Sequence, residues 1–230
     1  MIRDRAAAAL IAEAIGTFLF FFIGCGSVVL GDYLATNGGS GPGLLGVALA
    51  HGLALATLAS ALGAVSGAHF NPAVTLAAWI LGKIAPARAV GYVVAQLVGG
   101  LAAALALRVL LPETAWQPSA IGTPALGAGI TPIAGIAIEA ILTVLLVLVI
   151  IGTTVDGRAP KIGGLAVGLA VAAVVLMGGP LTGAAMNPAR WFGPAVAAGA
   201  YANWYVWWIG PAIGSAVAAL LYRSTLAEAR

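Results

Sequence analysis

Long apolar blocks dominate the chain, separated by short stretches that hold the charged and turn-forming residues. Six of them approach the roughly 20 residues that cross a bilayer: Ala6 to Leu30, Leu44 to Leu62, Ala87 to Leu111, Pro132 to Gly152, Ile162 to Met177 and Trp204 to Tyr222. The fifth is short and is expected to borrow residues at its ends. Two more apolar segments, Pro72 to Leu81 and Pro188 to Ala198, are too short to cross. A helix of about ten residues reaches about 15 Å, half of a hydrocarbon core about 30 Å thick, so each is expected to enter from one side and stop near the midplane. Irregular backbone survives at that depth only when it is buried in protein or lines a wet cavity.

Both short segments begin with the same tripeptide, Asn71-Pro72-Ala73 and Asn187-Pro188-Ala189. The frames before them also match, Ser66-Gly67-Ala68-His69-Phe70 and Thr182-Gly183-Ala184-Ala185-Met186. Asn is a good N-cap and Pro suits the first helical position, so each copy predicts a short helix with an amide donor at its positive end. The separation linking the two asparagines also links Gly52 to Gly168, and Glu13-Ala14-Ile15-Gly16-Thr17 is echoed by Glu139-Ala140-Ile141-Leu142-Thr143. A duplicated half is the simplest cause. Each half carries three spans, an odd number, so the second starts on the opposite face and the site lies where the halves meet. The expectation is one membrane domain over residues 1–230, with repeats at about 1–111 and 132–230 joined by a loop at 112–131.

Composition fixes the solvent of this fold. Of 230 residues, 62% are hydrophobic and 7% charged, with a mean hydropathy of +1.08, which excludes a soluble domain. The net charge of +3 comes from basic residues that form no stripe, so nucleic acid is not the partner. Instead, Arg3, Arg5, Lys83, Arg88, Arg158, Lys161, Arg223 and Arg230 fall on one side of the expected topology, which marks that side and both termini as cytoplasmic. Arg108 is the exception. The first span is longer than a signal-peptide core and carries Glu13, so it reads as retained. Gly164 with Gly168, and Gly210 with Gly214, repeat a spacing that lets helices pack closely. The single cysteine, Cys25, allows no internal disulfide. An enzyme reading lacks a nucleophile with a neighbouring base.

The paired Asn-Pro-Ala motifs, Ser66-Gly67-Ala68-His69, the run Asn187 to Arg190, and Glu13 with Glu139 resemble the aquaporin family over nearly the whole chain. The resemblance implies an all-α hourglass of six tilted helices and two re-entrant half-helices in an inverted repeat, assembled as a homotetramer with one pore per subunit. It implies passive conduction of water with exclusion of protons and ions, no cofactor and no metal, in a multi-pass protein of the cell membrane. The amides of Asn71 and Asn187 would donate to passing water. Backbone carbonyls of Ala68, His69, Phe70, Gly183, Ala184, Ala185 and Met186 would accept from it. Arg190 would repel cations: at about 4 Å and an effective dielectric of about 20, like charges repel by about 4 kcal/mol, roughly a thousandfold.

By the same resemblance, His51, Val175 and Ala184 complete a filter with Arg190. The common water-selective pattern has an aromatic at His51, a histidine at Val175, and often cysteine or threonine at Ala184. This set instead is similar to vacuolar-type aquaporins that also pass ammonia or hydrogen peroxide. Glycerol facilitators carry an acidic residue where Trp191 stands, which argues against glycerol. Glu13 and Glu139 would accept hydrogen bonds from the re-entrant loops, and His69 would brace the first loop beside the inner pore. The rival class is a secondary transporter, which also uses inverted repeats and half-helices. The chain lacks the extra intramembrane charges with which a transporter binds a coupling ion.

Overall fold

The computed structural model of the chain describes residues 5–160 and 162–226. Arg3, Lys161 and Arg230 of the basic set, and the start from Met1 to Asp4, lie outside them. The regular elements are helical: α1 (Arg5–Thr36), α2 (Gly43–Ser66), α3 (Pro72–Ile80), α4 (Pro86–Leu110), α5 (Glu113–Trp116), α6 (Pro132–Ile150), α7 (Gly163–Thr182), α8 (Pro188–Ala198) and α9 (Val206–Leu221). Single π-helical turns, Ile151–Val155 and Tyr222–Leu226, extend α6 and α9. Five of these are long and apolar enough to cross a membrane: α1, α2, α4, α6 with its π turn, and α7. The sixth, α9, has 16 residues, about 24 Å of helix, which its π turn lengthens.

Local sequence explains most boundaries. Pro occupies the first position of α3, α4, α6 and α8, where its missing N–H costs nothing. Asn71 and Asn187 cap α3 and α8 as expected, and Thr131 caps α6 through the Ala134 N–H at 3.3 Å. Helix α7 runs past the expected end at Met177 through Gly178, Gly179 and Pro180 to Thr182. In water that triplet is a breaker, but inside a membrane an unwound turn would strand carbonyls without partners, so the helix continues. The loop at 112–131 contains the one-turn helix α5, which the apolar pattern did not signal.

The two halves interlock. Helices α1 and α4 pack together, as do α6 and α9, while α2 and α7 form the long contact between halves. Each short helix crosses over: α3 lies against α4 and α9, and α8 lies chiefly against α4. The α2–α7 crossing sits at Gly52 and Gly168. A Cβ on Gly52 would lie 2.6 Å from the Gly168 carbonyl oxygen, and one on Gly168 would strike the Gly52 oxygen. The remaining paired glycines act alike, Gly164 facing Ser60 of α2, and Gly210 and Gly214 facing α6. Dispersion and close backbone approach replace the hydrophobic effect, which has no force between helices in lipid.

Glycines at a backbone contact and in open space are expected to respond differently to a methyl group. Gly168→Ala forces the α2 backbone aside and lowers stability by about 1–3 kcal/mol, whereas Gly63→Ala, with nothing within 4 Å of its Cβ, does not. Thermal unfolding in detergent measures both, and equal melting temperatures for the two variants would refute the crossing argument.

Candidate functional site

The loops ahead of the two asparagines are strained in the same places. Ala68, Phe70, Ala184 and Met186 have φ of +50°, +47°, +44° and +50°, following Gly67 at +87° and Gly183 at +78°. Each non-glycine residue there costs about 1–3 kcal/mol and persists only when its surroundings over-determine it. Two fully buried carboxylates do so. Glu13 Oε1 accepts from Ser66 Oγ at 2.7 Å and the His69 N–H at 2.9 Å, while Oε2 accepts from the Phe70 N–H and Gln96 Nε2, both at 2.7 Å. Glu139 repeats the pattern with Thr182 Oγ1 at 2.6 Å and the N–H groups of Ala185 and Met186 at 3.0 and 2.6 Å. A ring donor closes each loop from behind: Tyr92 OH donates to the Ser66 carbonyl at 2.8 Å and Trp207 Nε1 to the Thr182 carbonyl at 3.0 Å.

The asparagines meet tip to tip. Asn71 Oδ1 accepts from the Ala73 N–H at 2.8 Å; Asn187 Oδ1 accepts from Ala189 at 3.0 Å and, more weakly, Arg190 at 3.4 Å. The amide groups then cross over, Asn71 Nδ2 donating to the Met186 carbonyl and Asn187 Nδ2 to the Phe70 carbonyl, each at 2.9 Å. One amide hydrogen per asparagine remains for another acceptor. Phe70 and Met186, expected to offer their carbonyls to the pore, thus spend a lone pair each on holding the opposite asparagine. Phe70 does not line the lumen; its ring occupies the space over Gly16 of α1.

A cavity of about 320 Å³ runs past this junction, lined among others by His51, Ala68, His69, Asn71, Val175, Ala184, Ala185, Met186, Asn187 and Arg190. A second, wider groove opens on the other side and contains Gly183. The two share His51, Val175 and Arg190, which therefore form the neck between them. Arg190 is buried and held on two sides: Nε donates to His51 Nε2 at 3.2 Å and Nη1 to the Gly122 carbonyl at 2.8 Å. His51 Nδ1 sits 2.9 Å from the Val47 carbonyl, so the proton is on Nδ1 and the Nε2 lone pair faces Arg190. His69 lines the first cavity but not the second groove, with Nδ1 3.1 Å from Thr75 Oγ1.

Gly122 escaped the sequence reading. It follows Ala120 and Ile121 in three successive left-handed residues, with φ of +48°, +60° and +70°, and Ile121 is fully buried as the anchor of that turn. A run of Ser, Ala, Ile, Gly and Thr carries no signature for such a turn. Arg108, the exception among the basic residues, donates Nη1 to the Ala197 carbonyl at 2.5 Å, near the C-terminus of α8, and lies 5.1 Å from the Trp116 ring centre. A cation there offsets the negative end of the half-helix.

Removing a brace is expected to release its loop. Glu139→Ala strands the Thr182 hydroxyl and two N–H groups, at about 1–3 kcal/mol for each buried donor. Glu139→Gln keeps the shape but turns an NH2 toward donors. Both variants should unfold at lower temperature than the parent, Ala more so. A Gln variant as stable as the parent would show that the charge is not the brace.

The chain matches the Major intrinsic protein family over residues 3–222. It is 47% identical over 217 residues to "Aquaporin TIP4-4" from Zea mays, covering 93% of this chain and 84% of the relative. It is 45% identical over 223 residues to "Probable aquaporin TIP3-2" from Arabidopsis thaliana, covering 93% and 82%. The fold superposes on the X-ray structure of the aquaglyceroporin from Plasmodium falciparum with a TM-score of 0.84 at 24% identity, over 96% of this chain and 97% of that one. A helical chain with two opposed half-helices and this degree of kinship is an integral membrane channel: it belongs to the major intrinsic protein family, the aquaporins.

Proposed function

We propose that the pore conducts water passively and that the neck at His51, Val175 and Arg190, with Ala184 beside it on the wall of the first cavity, sets what else passes. The junction of Asn71 and Asn187 carries this reading. Each amide keeps one hydrogen for the lumen, so a water there accepts with its oxygen and turns both hydrogens away along the pore. The hydrogen-bonded file then runs in opposite senses on the two sides, and a proton has no continuous relay. Two helix N-termini and the Arg190 guanidinium add a positive field that opposes cations, a general means of exclusion in such pores. Carbonyls of Ala68, His69, Gly183 and Ala185 supply acceptors along one wall.

The neck favours a second permeant. His51 has both ring nitrogens occupied, Nδ1 on Val47 and Nε2 on Arg190. Val175 and Ala184 offer no side-chain polar group. A small neutral solute therefore meets few groups that demand water's own bonding pattern, which supports ammonia or hydrogen peroxide passage beside water. The two relatives named above are called aquaporins, in line with this reading.

The matched loop and asparagine bonds of the two halves support one domain of two inverted repeats, about 1–111 and 132–230. Arg5 opens α1, Lys83 follows α3, Arg88 lies in the first turn of α4, Arg158 follows α6 and Arg223 follows α9; with alternating spans these ends share one face, which supports placing it, with both termini, in the cytoplasm. The broad exposed apolar faces, such as Ile133 and Ile141 of α6 at 81% and 69% exposed, leave room for the homotetramer in a cell membrane.

Proteoliposomes carrying the protein should shrink several-fold faster than empty ones after an osmotic jump, and an equal rate removes the water assignment. His51→Phe with Val175→His should cut ammonia flux, read as internal alkalinisation, while sparing water. An unchanged ratio would show that the neck is not the filter. Arg190→Val should admit larger neutral or charged solutes, read by the same shrinkage assay with those solutes outside.

A further inference from the structure

Beside the inner end of the pore lies an open groove of about 1090 Å³, between the end of α3, the turn after α6 and the turn after α9. Lys83 and Arg223 line it, and among the described residues neither side chain forms an ion pair. The acidic group on its wall, Asp156, is already matched: Arg158 pairs with it at 2.5 Å and the Tyr222 hydroxyl donates to it. These bonds, that to Arg158 foremost, hold its carboxyl well below the usual range. The groove therefore keeps a surplus of two positive charges facing an open volume.

Its depth indicates the kind of anion. Trp79, in the last turn of α3 and 50% exposed, forms part of the rim, and exposed Trp belongs at the bilayer–water boundary. The exposed apolar column Ile209, Ile213, Val217 and Leu220 of α9 runs down to the same end. A groove with the exposed Lys83 and Arg223 on its wall, an exposed tryptophan beside it and an exposed apolar helix leading to it fits a lipid better than a soluble anion. We propose that it binds the phosphate-bearing headgroup of an anionic membrane lipid. Leu81, Ile151 and Val155 are shared with the wall of the lumen, so the bound headgroup would touch the inner mouth of the pore.

Native mass spectrometry of the full chain, released from phosphatidylcholine nanodiscs with added phosphatidylglycerol, tests the site without reading flux and so stands apart from the water assignment. Phosphatidylglycerol should be retained in preference to phosphatidylcholine. At about fivefold per basic residue, Lys83→Gln with Arg223→Gln should weaken that retention about 30-fold. Arg5→Gln with Arg88→Gln, on the same face but outside the groove, should leave it unchanged. Equal loss in both double variants would reduce the effect to general surface charge and overturn the proposal. So would full retention in the groove variant, or displacement of phosphatidylglycerol by millimolar inorganic phosphate, which would mark a site for free anions.

Discussion

Everything in this pore depends on satisfying irregular backbone in a place without water. The half-helices must stop at mid-membrane, and the loops that deliver them cannot be helical. Their N–H groups would be orphaned at a cost of several kcal/mol each. Glu13 and Glu139 meet that demand by accepting seven hydrogen bonds between them. The donors in turn neutralise the cost of a buried carboxylate. The N–H side of each loop is thereby anchored in the scaffold.

The inverted repeat is symmetric where this demand is strongest and diverges elsewhere. Ser66 and Thr182, Tyr92 and Trp207, and Asn71 and Asn187 occupy corresponding roles with nearly equal distances. Around them the first half holds a polar chain of His69, Thr75 and Gln96, linked at 3.1 and 3.0 Å. The second half has Trp191 stacked on Trp207 at 5.8 Å instead. The neck also belongs to one side alone, built from His51, Arg190 and the left-handed turn at Gly122. Shared physics conserves the brace, while the two mouths are free to differ.

Duplicated motifs and the hydropathy pattern made the spans, the half-helices and the asparagine tips legible in the sequence. The Glu13 and Glu139 bonds were legible through the family resemblance, in keeping with the cost of a bare carboxylate at that depth. Three things were hidden. The extension of α7 through Pro180 depends on the solvent, because the same triplet would end a helix in water. The Gly122 turn depends on tertiary anchoring by Ile121 rather than on any local preference. The crossing of each amide onto the opposite carbonyl is a contact between residues far apart in the chain, and no local pattern encodes it.

That crossing makes the two halves mutually dependent in time as well as in space. Asn71 finds its acceptor at Met186, and α3 finds part of its wall in α9, which leaves the ribosome long after it. The first half-helix is therefore synthesised well before the carbonyl and the wall that hold it exist. Completion of the pore is a late event in biogenesis, withheld until α9 has entered the bilayer.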